Sequence, residues 1–240
     1  MKALVDDVHV AIPWSGRDPH REAALGWVAR RWVANGFGPP TLGIPDGADW
    51  VKAEAVRNAI AGSTAPILCI ADADCWSDGV PEAVARVRTG APWAIPHNLV
   101  WRLSPQATTQ VLHGIEPHER LQLDPDEPTA RKRKGYAGRP GGGIVVIRRD
   151  VYEDCPMDPR FAGWGHEDES WALALTLLHG KPARLGAHLW HLWHPPQERL
   201  SRGFGSAESE LLYRRYHNAR TPESMRRLVD EAKEVTACNR

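Results

Sequence analysis

The stretch that decides the fold is PILCIADADCW, Pro66 to Trp76. Its first half is an unbroken apolar run behind a proline, and such a run reads as a β-strand buried on both faces. A strand covered on both faces belongs to a sheet with helices above and below it. The second half ends the strand in two carboxylates, Asp72 and Asp74, and alternation puts both on one side, with Ala73 pointing away. Two carboxylates at the end of a buried strand repel unless a cation lies between them or one is protonated. Solvated acids often end strands, but in open α/β sheets ligands gather at this edge, so the position raises a weak D-x-D motif.

Outward from this strand the same alternation repeats. Upstream, VHVAI (Val8 to Ile12) predicts a strand, and HREAALGWVARRWVANG predicts a helix with Leu25, Val28 and Trp32 on one face and Gly36 as its stop. TLGI and DWVKAEAVRNAIAG give a second strand and helix. Downstream, PEAVARVRTG opens at Pro81 and closes at Gly90, and WAIP follows as a strand. From Asn98 to Pro140 the pattern weakens to one helix, SPQATTQVLHG, and an irregular surface excursion. The strand GGGIVVI then resumes. A short helix near RRDVYEDC, a helix through EDESWALALTLLHG, a strand ARLGAHLWHLWH and two C-terminal helical segments complete the chain. Strands alternating with helices predict an α/β fold, a mostly parallel central sheet with helices on both faces, in a single domain. No internal repeat is present.

Bulk properties exclude several classes. The 240 residues carry 30 basic and 30 acidic side chains, so no global field draws the chain to nucleic acid or to an anionic membrane. No stretch approaches the roughly 18 consecutive apolar residues of a membrane span, and the N-terminus lacks the apolar centre of a signal peptide. The expectation is a soluble cytoplasmic protein without membrane contact. Cys69, Cys75, Cys155 and Cys238 show no paired spacing, which argues against structural zinc and a disulfide framework. Eleven tryptophans against three phenylalanines suit a site that stacks on flat faces of sugars or bases, although some must serve the core.

Two further segments carry chemistry. GWGHEDES, Gly163 to Ser170, sets Trp164 between two glycines and then places Glu167, Asp168 and Glu169 in a first helical turn. Acids there complement the macrodipole; a carboxylate fixed on a rigid helix beside a mobile indole is also a positioned general base with a stacking surface. HLWHLWHPP offers His188, His191 and His194 at a strand end. Carboxylate with imidazole suits a first-row divalent ion, Mn2+ above all, with diphosphate oxygens completing the shell; Mg2+ is the alternative cofactor.

The ordered set VAIPWSGRDPHREA, KAEAVRNAI, IADADCW, YAGRPGGGIVVIRRDVY, FAGWGHEDES and HLWHPP resembles the nucleotide-sugar glycosyltransferases of GT-A fold. It is most similar to the β-1,4-galactosyltransferase and polypeptide N-acetylgalactosaminyltransferase group, over roughly Val8 to Pro196. The resemblance implies a Rossmann-like single domain with a nucleotide-binding half (1–97), an acceptor and metal half (98–200) and C-terminal helices (201–240). It implies Asp74 and His194 as metal ligands, with His191 at a position that is methionine in the galactosyltransferases and His188 as a further candidate. Asp168 matches the inverting base, and Trp164 and Glu167 match acceptor contacts; His166 beside them, which stands where the galactosyltransferases have glycine, is expected as a further acceptor contact. Asp72 matches a ribose or metal contact, and Arg17 and Asn58 match positions of the nucleotide site, to which Pro13, Gly142 and Gly143 are added. After His194 the family has a lid, where Gly203 and Gly205 are candidate hinges and Arg199 and Arg202 candidate diphosphate contacts.

The reaction so implied is hexose transfer from a nucleotide-sugar, a UDP-sugar, to a hydroxyl of a glycan, a protein or a small molecule. Glu167 followed by Asp168 implies inversion, since retaining relatives carry asparagine after the glutamate. The alternatives are a sugar- or nucleotide-binding module without catalysis and a metal-dependent phosphohydrolase. The basic run Arg131, Lys132, Arg133 and Lys134, expected in a loop, keeps nucleic acid open as a partner, with a hydroxylated DNA base as acceptor.

Overall fold

A computed structural model describes residues 6–16, 18–117, 141–195 and 206–238, and the backbone of 130–134. In chain order the elements are β1 (Val8–Pro13), α1 (Pro19–Ala34), β2 (Thr41–Gly43), α2 (Lys52–Ile60), β3 (Ile67–Ala71), β4 (Cys75–Trp76), α3 (Val80–Arg88), β5 (Trp93–Ile95), β6 (Leu99–Leu103), α4 (Pro105–Leu112), β7 (Ala130–Lys134), β8 (Ile144–Arg148), α5 (Arg149–Asp154), α6 (Glu167–His179), β9 (Ala183–Arg184), β10 (His188–His191), α7 (Ala207–Asn218) and α8 (Pro222–Cys238).

The central sheet has the order β2-β1-β3-β8-β5-β9. All its strands run one way except β8, which lies antiparallel between β3 and β5, so the sheet is mostly parallel as expected. Alternation along β3 divides the interior in two. Ile67, Cys69 and Ala71 face a core with Val28 and Trp32 of α1 and Val84 of α3. Leu68 and Ile70 face the other core, with Val56 of α2, Trp171 and Leu175 of α6 and Leu228 of α8. Every residue of β3 is buried, which is the two-sided burial its apolar run predicts.

Local chemistry sets the helix starts. Asp18 caps α1 by accepting from the His20 and Arg21 amides, and Ser104 caps α4 by accepting from the Ala107 amide. Gly36 follows α1 at φ 85° and Gly90 follows α3 at φ 115°, conformations in which a side chain is strained.

Three expectations need correction. ARLGAHLWHLWH is two strands in two sheets. Leu185 still donates to Ile95 O in the central sheet, and two residues later Ala187 O accepts from Asn98 in the second. That second sheet, of order β4-β10-β6-β7, is not foreseen, because hydrophobic alternation continues across the crossing and does not mark it. The basic run 131–134 is a strand antiparallel to β6 rather than a loop.

Candidate active site

Both acids of the D-x-D lie beyond the end of β3, but the strand stops at Ala71 and a turn separates their surroundings. Asp74 is only 4% exposed, while the Asp72 side chain keeps 30% of its surface. One oxygen of each still lies within 4.8 Å of the other and of the Cys75 sulfur. The Cys75 thiol donates to Asp74 Oδ1 at 3.2 Å, and burial pushes its pKa well above the ordinary thiol value, so it serves as a donor and not as a thiolate.

The chain brings Asp74, His191 and His194 together, with ligand atoms all within 4.8 Å of one another. His194 Nε2 is 3.2 Å from Asp74 Oδ2, and His191 Nε2 is 3.9 Å from Asp74 Oδ1. The second sheet makes this possible: β10 pairs with β4, setting His191 opposite Cys75, and Leu192 donates to the Asp74 carbonyl at 2.8 Å. Each imidazole Nδ1 lies against a backbone carbonyl, Leu192 O at 2.9 Å and Pro195 O at 2.8 Å. Donation there leaves Nε2 as the coordinating nitrogen, the arrangement in which outer partners fix a ligating histidine. Burial pushes the His191 imidazole below its usual pKa, favouring the neutral form that binds metals. Burial acts to raise Asp74, but His191, His194 and Arg21 outweigh it and hold the carboxyl below its usual range. These donors fit a divalent first-row ion.

Two guanidinium groups meet the same rings. Arg102 Nη1 is 3.1 Å from His191 Nε2, and Arg21 Nη2 is 3.3 Å and 3.4 Å from the two nitrogens of His194. Arg21 also lies over the Trp164 indole, 5.1 Å from its centroid. Trp164 in turn stacks on Trp50 at 6.3 Å, and Gly163 donates to the Trp50 carbonyl. The glycine-flanked indole is thus held between an arginine of α1 and the residue two before α2.

At the start of α6, Lys52 Nζ donates to Asp168 Oδ1 at 2.8 Å and Oδ2 at 3.0 Å, and to Asp72 Oδ1 at 2.9 Å. One ammonium thereby joins the strand-end acid to the acid of the helix. Burial opposes its charge, but Asp168, Asp72 and Glu167 outweigh that and hold its pKa well above the usual lysine value. Burial raises Asp168 above the ordinary carboxylate value, with Lys52 opposing and Asp72 adding. Burial and the Asp168 charge push Glu167 up to about 7. Glu167 Oε2 accepts from the Gly165 amide at 2.9 Å. His166, which precedes them, adopts φ 72° and ψ −20°, the one non-glycine positive φ among the described residues. Such a conformation costs roughly 1–2 kcal/mol for a residue with a β-carbon.

The remaining expected donor residues are more dispersed. Gly142 and Gly143, both left-handed, lie beside Asp72: Gly143 donates to Asp72 Oδ2 at 2.9 Å, and its carbonyl accepts from the Asp72 amide at 2.7 Å. Pro13 ends β1 opposite Gly43. Asn58 commits its amide to the Ile44 carbonyl and the Asp46 carboxylate and makes no bond to the acid cluster. His188 lies edge-on to Trp101 and Trp190, outside the Asp74 group. Arg17, Arg199, Arg202, Gly203 and Gly205 fall outside the described residues.

Sequence reading misses Lys52, Arg21, Arg102 and His97. Lys52 had a signal: it is the first residue of a helix, where the macrodipole disfavours a cation, so a lysine there asks for a nearby acid. His97 is 1% exposed, and burial lowers its pKa to about 4, which keeps the imidazole neutral.

No protein-family model matches the sequence, and no curated protein matches it. Solved structures do. The catalytic domain of Drosophila β1,4-galactosyltransferase 7, in complex with xylobiose, matches at 11% identity and TM-score 0.49, over 90% of this chain and 82% of that one. Glucosyl-3-phosphoglycerate synthase from Mycobacterium tuberculosis, with Mg2+ and UDP, matches at 15% identity and TM-score 0.41, over 80% and 72%. The same enzyme with Mn2+, UDP and glucosyl-3-phosphoglycerate matches at 15% and 0.43, over 78% and 72%. At such identities the likeness is one of fold alone.

Proposed function

We propose that the chain is a metal-dependent, inverting glycosyltransferase that moves a hexose from a UDP-sugar to an acceptor hydroxyl. The observation that carries this reading is one connected set of charges: Asp74 with His191 and His194 on one side, and Asp72 joined through Lys52 to Asp168 on the other. A phosphohydrolase needs the first half alone. A transferase needs both, an electrophile at the leaving group and a base at the acceptor.

Asp74, His194 and His191 would hold Mn2+ or Mg2+. Such an ion would supply positive charge to offset the charge that grows on the departing nucleoside diphosphate. Asp72, Gly142 and Gly143, with Pro13 at the end of β1, would form the donor side, and Trp164 and Glu167, with His166 between them in sequence, the acceptor side; Asn58, bonded to Ile44 and Asp46, is left out of it. Asp168 takes the proton of the acceptor hydroxyl as its oxygen forms the new bond to the anomeric carbon. The old bond from that carbon to the diphosphate oxygen breaks with its electron pair on the diphosphate. A positioned base contributes about 10² to 10⁴ in rate. Attack opposite the leaving group inverts the centre. Burial supports the assignment, since it raises Asp168 above the ordinary carboxylate value, toward useful basicity, against the opposing charge of Lys52.

The test is a donor screen with Mn2+ that follows nucleotide release with and without acceptors. Asp168→Asn is expected to keep metal and donor binding and lose transfer, while Asp74→Ala loses both. Phosphate release from simple esters, with no sugar transferred from any donor, would overturn the reading in favour of a hydrolase.

A further inference from the structure

The acids Glu167 and Asp168 are bracketed by two residues that reach the same neighbouring helix. On one side, the His166 ring stacks on Tyr213 at 4.4 Å with 18° between planes, and its Nε2 is 3.0 Å from Glu210 Oε2. On the other, Glu169 Oε1 accepts from the Tyr213 hydroxyl at 2.7 Å. A third contact lies before the glycines, where Ser209 Oγ donates to the Ala162 carbonyl at 3.2 Å. All three partners belong to α7, which is itself fixed: Leu212 and Tyr216 are buried, and Tyr216 donates to Asp158.

We infer that α7 is a clamp on the entry of α6, in which Glu210 and Tyr213 are positioning residues that hold His166 left-handed and so aim the two acids. Glycine is the residue that takes such a φ without strain. A histidine in its place is an unfavourable backbone choice unless its side chain is used, and here both ring face and ring edge are occupied by α7. His166 acts as the wedge by which α7 grips the turn, in place of a contact to acceptor. The first helical bond of α6, from the Ser170 amide to the His166 carbonyl at 2.9 Å, starts from this residue. That the aimed acids serve transfer rests on the proposed function; the grip does not.

The experiment compares His166→Ala, His166→Gly, Glu210→Gln and Tyr213→Phe with the parent chain by amide hydrogen exchange over 163–170, by Mn2+ and UDP binding, and by nucleotide release with an acceptor. His166→Ala loses both contacts and keeps the strained φ, so exchange at the Ser170 amide is expected to rise about tenfold. His166→Gly loses the contacts together with the strain and rises less. Glu210→Gln and Tyr213→Phe, at half-exposed positions, each produce a smaller rise. Turnover follows the same order, down to about 10²-fold for a misaimed base, while Mn2+ and UDP binding stay unchanged. Exchange that is equal in all five chains would overturn the clamp, as would His166→Ala and His166→Gly losing turnover equally with Glu210→Gln unaffected, which would make the imidazole an acceptor contact. A protein with no transferase activity on any donor would sink the proposed function, and the exchange series would still decide the clamp.

Discussion

Lys52 and Asp168, 116 residues apart, form a two-point ion pair in which both carboxylate oxygens lie within 3.0 Å of one ammonium. The same ammonium reaches Asp72, so three elements, the start of α2, the end of β3 and the start of α6, are tied at one atom. Lys52 is the cation between the strand-end Asp72 and the helix-start Asp168. Without it, Asp72 and Asp168 face each other with like charge.

Replacing Lys52 by Met keeps the apolar stem and removes the charge. Severing a fully buried pair costs about 3–5 kcal/mol; both acids keep nearly a third of their side-chain surface, so a loss of about 2–3 kcal/mol is expected. Urea denaturation reads it directly. Adding Asp168→Asn removes the stranded like charge and should return part of the loss. A double variant as unstable as the sum of the two singles would show that the acids are not coupled through Lys52.

The contrast between Lys52 and Ile70 shows what a sequence carries. Ile70 announces its burial through its neighbours, because burial on two faces leaves a continuous apolar run, and the strand and its carboxyl edge follow. The role of Lys52 depends on partners 20 and 116 residues away, and that of Arg21 on a histidine 173 residues away. Local pattern encodes whether a side chain is buried and says nothing of which charge it meets. The nearness of Asp74 to His194 follows from a family resemblance and not from spacing. The crossing between β9 and β10, which delivers His191 and His194, is hidden because only Leu185, Gly186 and Ala187 separate two short strands and no polar turn marks the change of sheet.

Glu167 gives stability a pH signature. Its folded pKa of about 7 lies above the 4.5 of an ordinary glutamate, so the folded chain binds a proton that the unfolded chain has released. Stability from this group is therefore full below about pH 4.5, falls as pH rises, and levels off above about pH 7. Glu167→Gln removes that slope. Denaturation midpoints at about pH 5 and about pH 8 should differ more for the parent than for the variant; parallel behaviour of the two would place Glu167 in ordinary solvent.

Mn2+ binding, measured by calorimetry without any sugar, separates the histidines. Asp74→Ala and His194→Ala are expected to weaken it by about 10²-fold or more. His188→Ala should leave it unchanged, since that ring lies against Trp101 and Trp190. Arg21→Met should tighten binding of the bare ion, because a guanidinium now sits against the His194 imidazole that the ion would use. Weaker binding in Arg21→Met would mean that the arginine orients the ring more than it competes for it.

Gly141 offers the sharpest steric test of how the glycine turn supports α6. A β-carbon there would lie 2.6 Å from the Asp168 carbonyl oxygen and 3.0 Å from its carbon, and φ is already 120°. Neither obstacle can swing aside, because both are backbone in the first turn of the helix. Gly141→Ala must therefore push the α6 entry away from the turn at Asp72, at a cost of about 2–4 kcal/mol. Turnover should fall further than stability alone explains, by about 10²-fold, as Asp168, the proposed base, leaves its line. Mn2+ affinity, set on the far side by β10, should hold. Gly62→Ala is the control: nothing lies within 4 Å of its added carbon, and its stability should stay within about 0.5 kcal/mol of the parent. Equal effects of the two substitutions would show that the glycine turn and α6 are not in the contact from which the site is built.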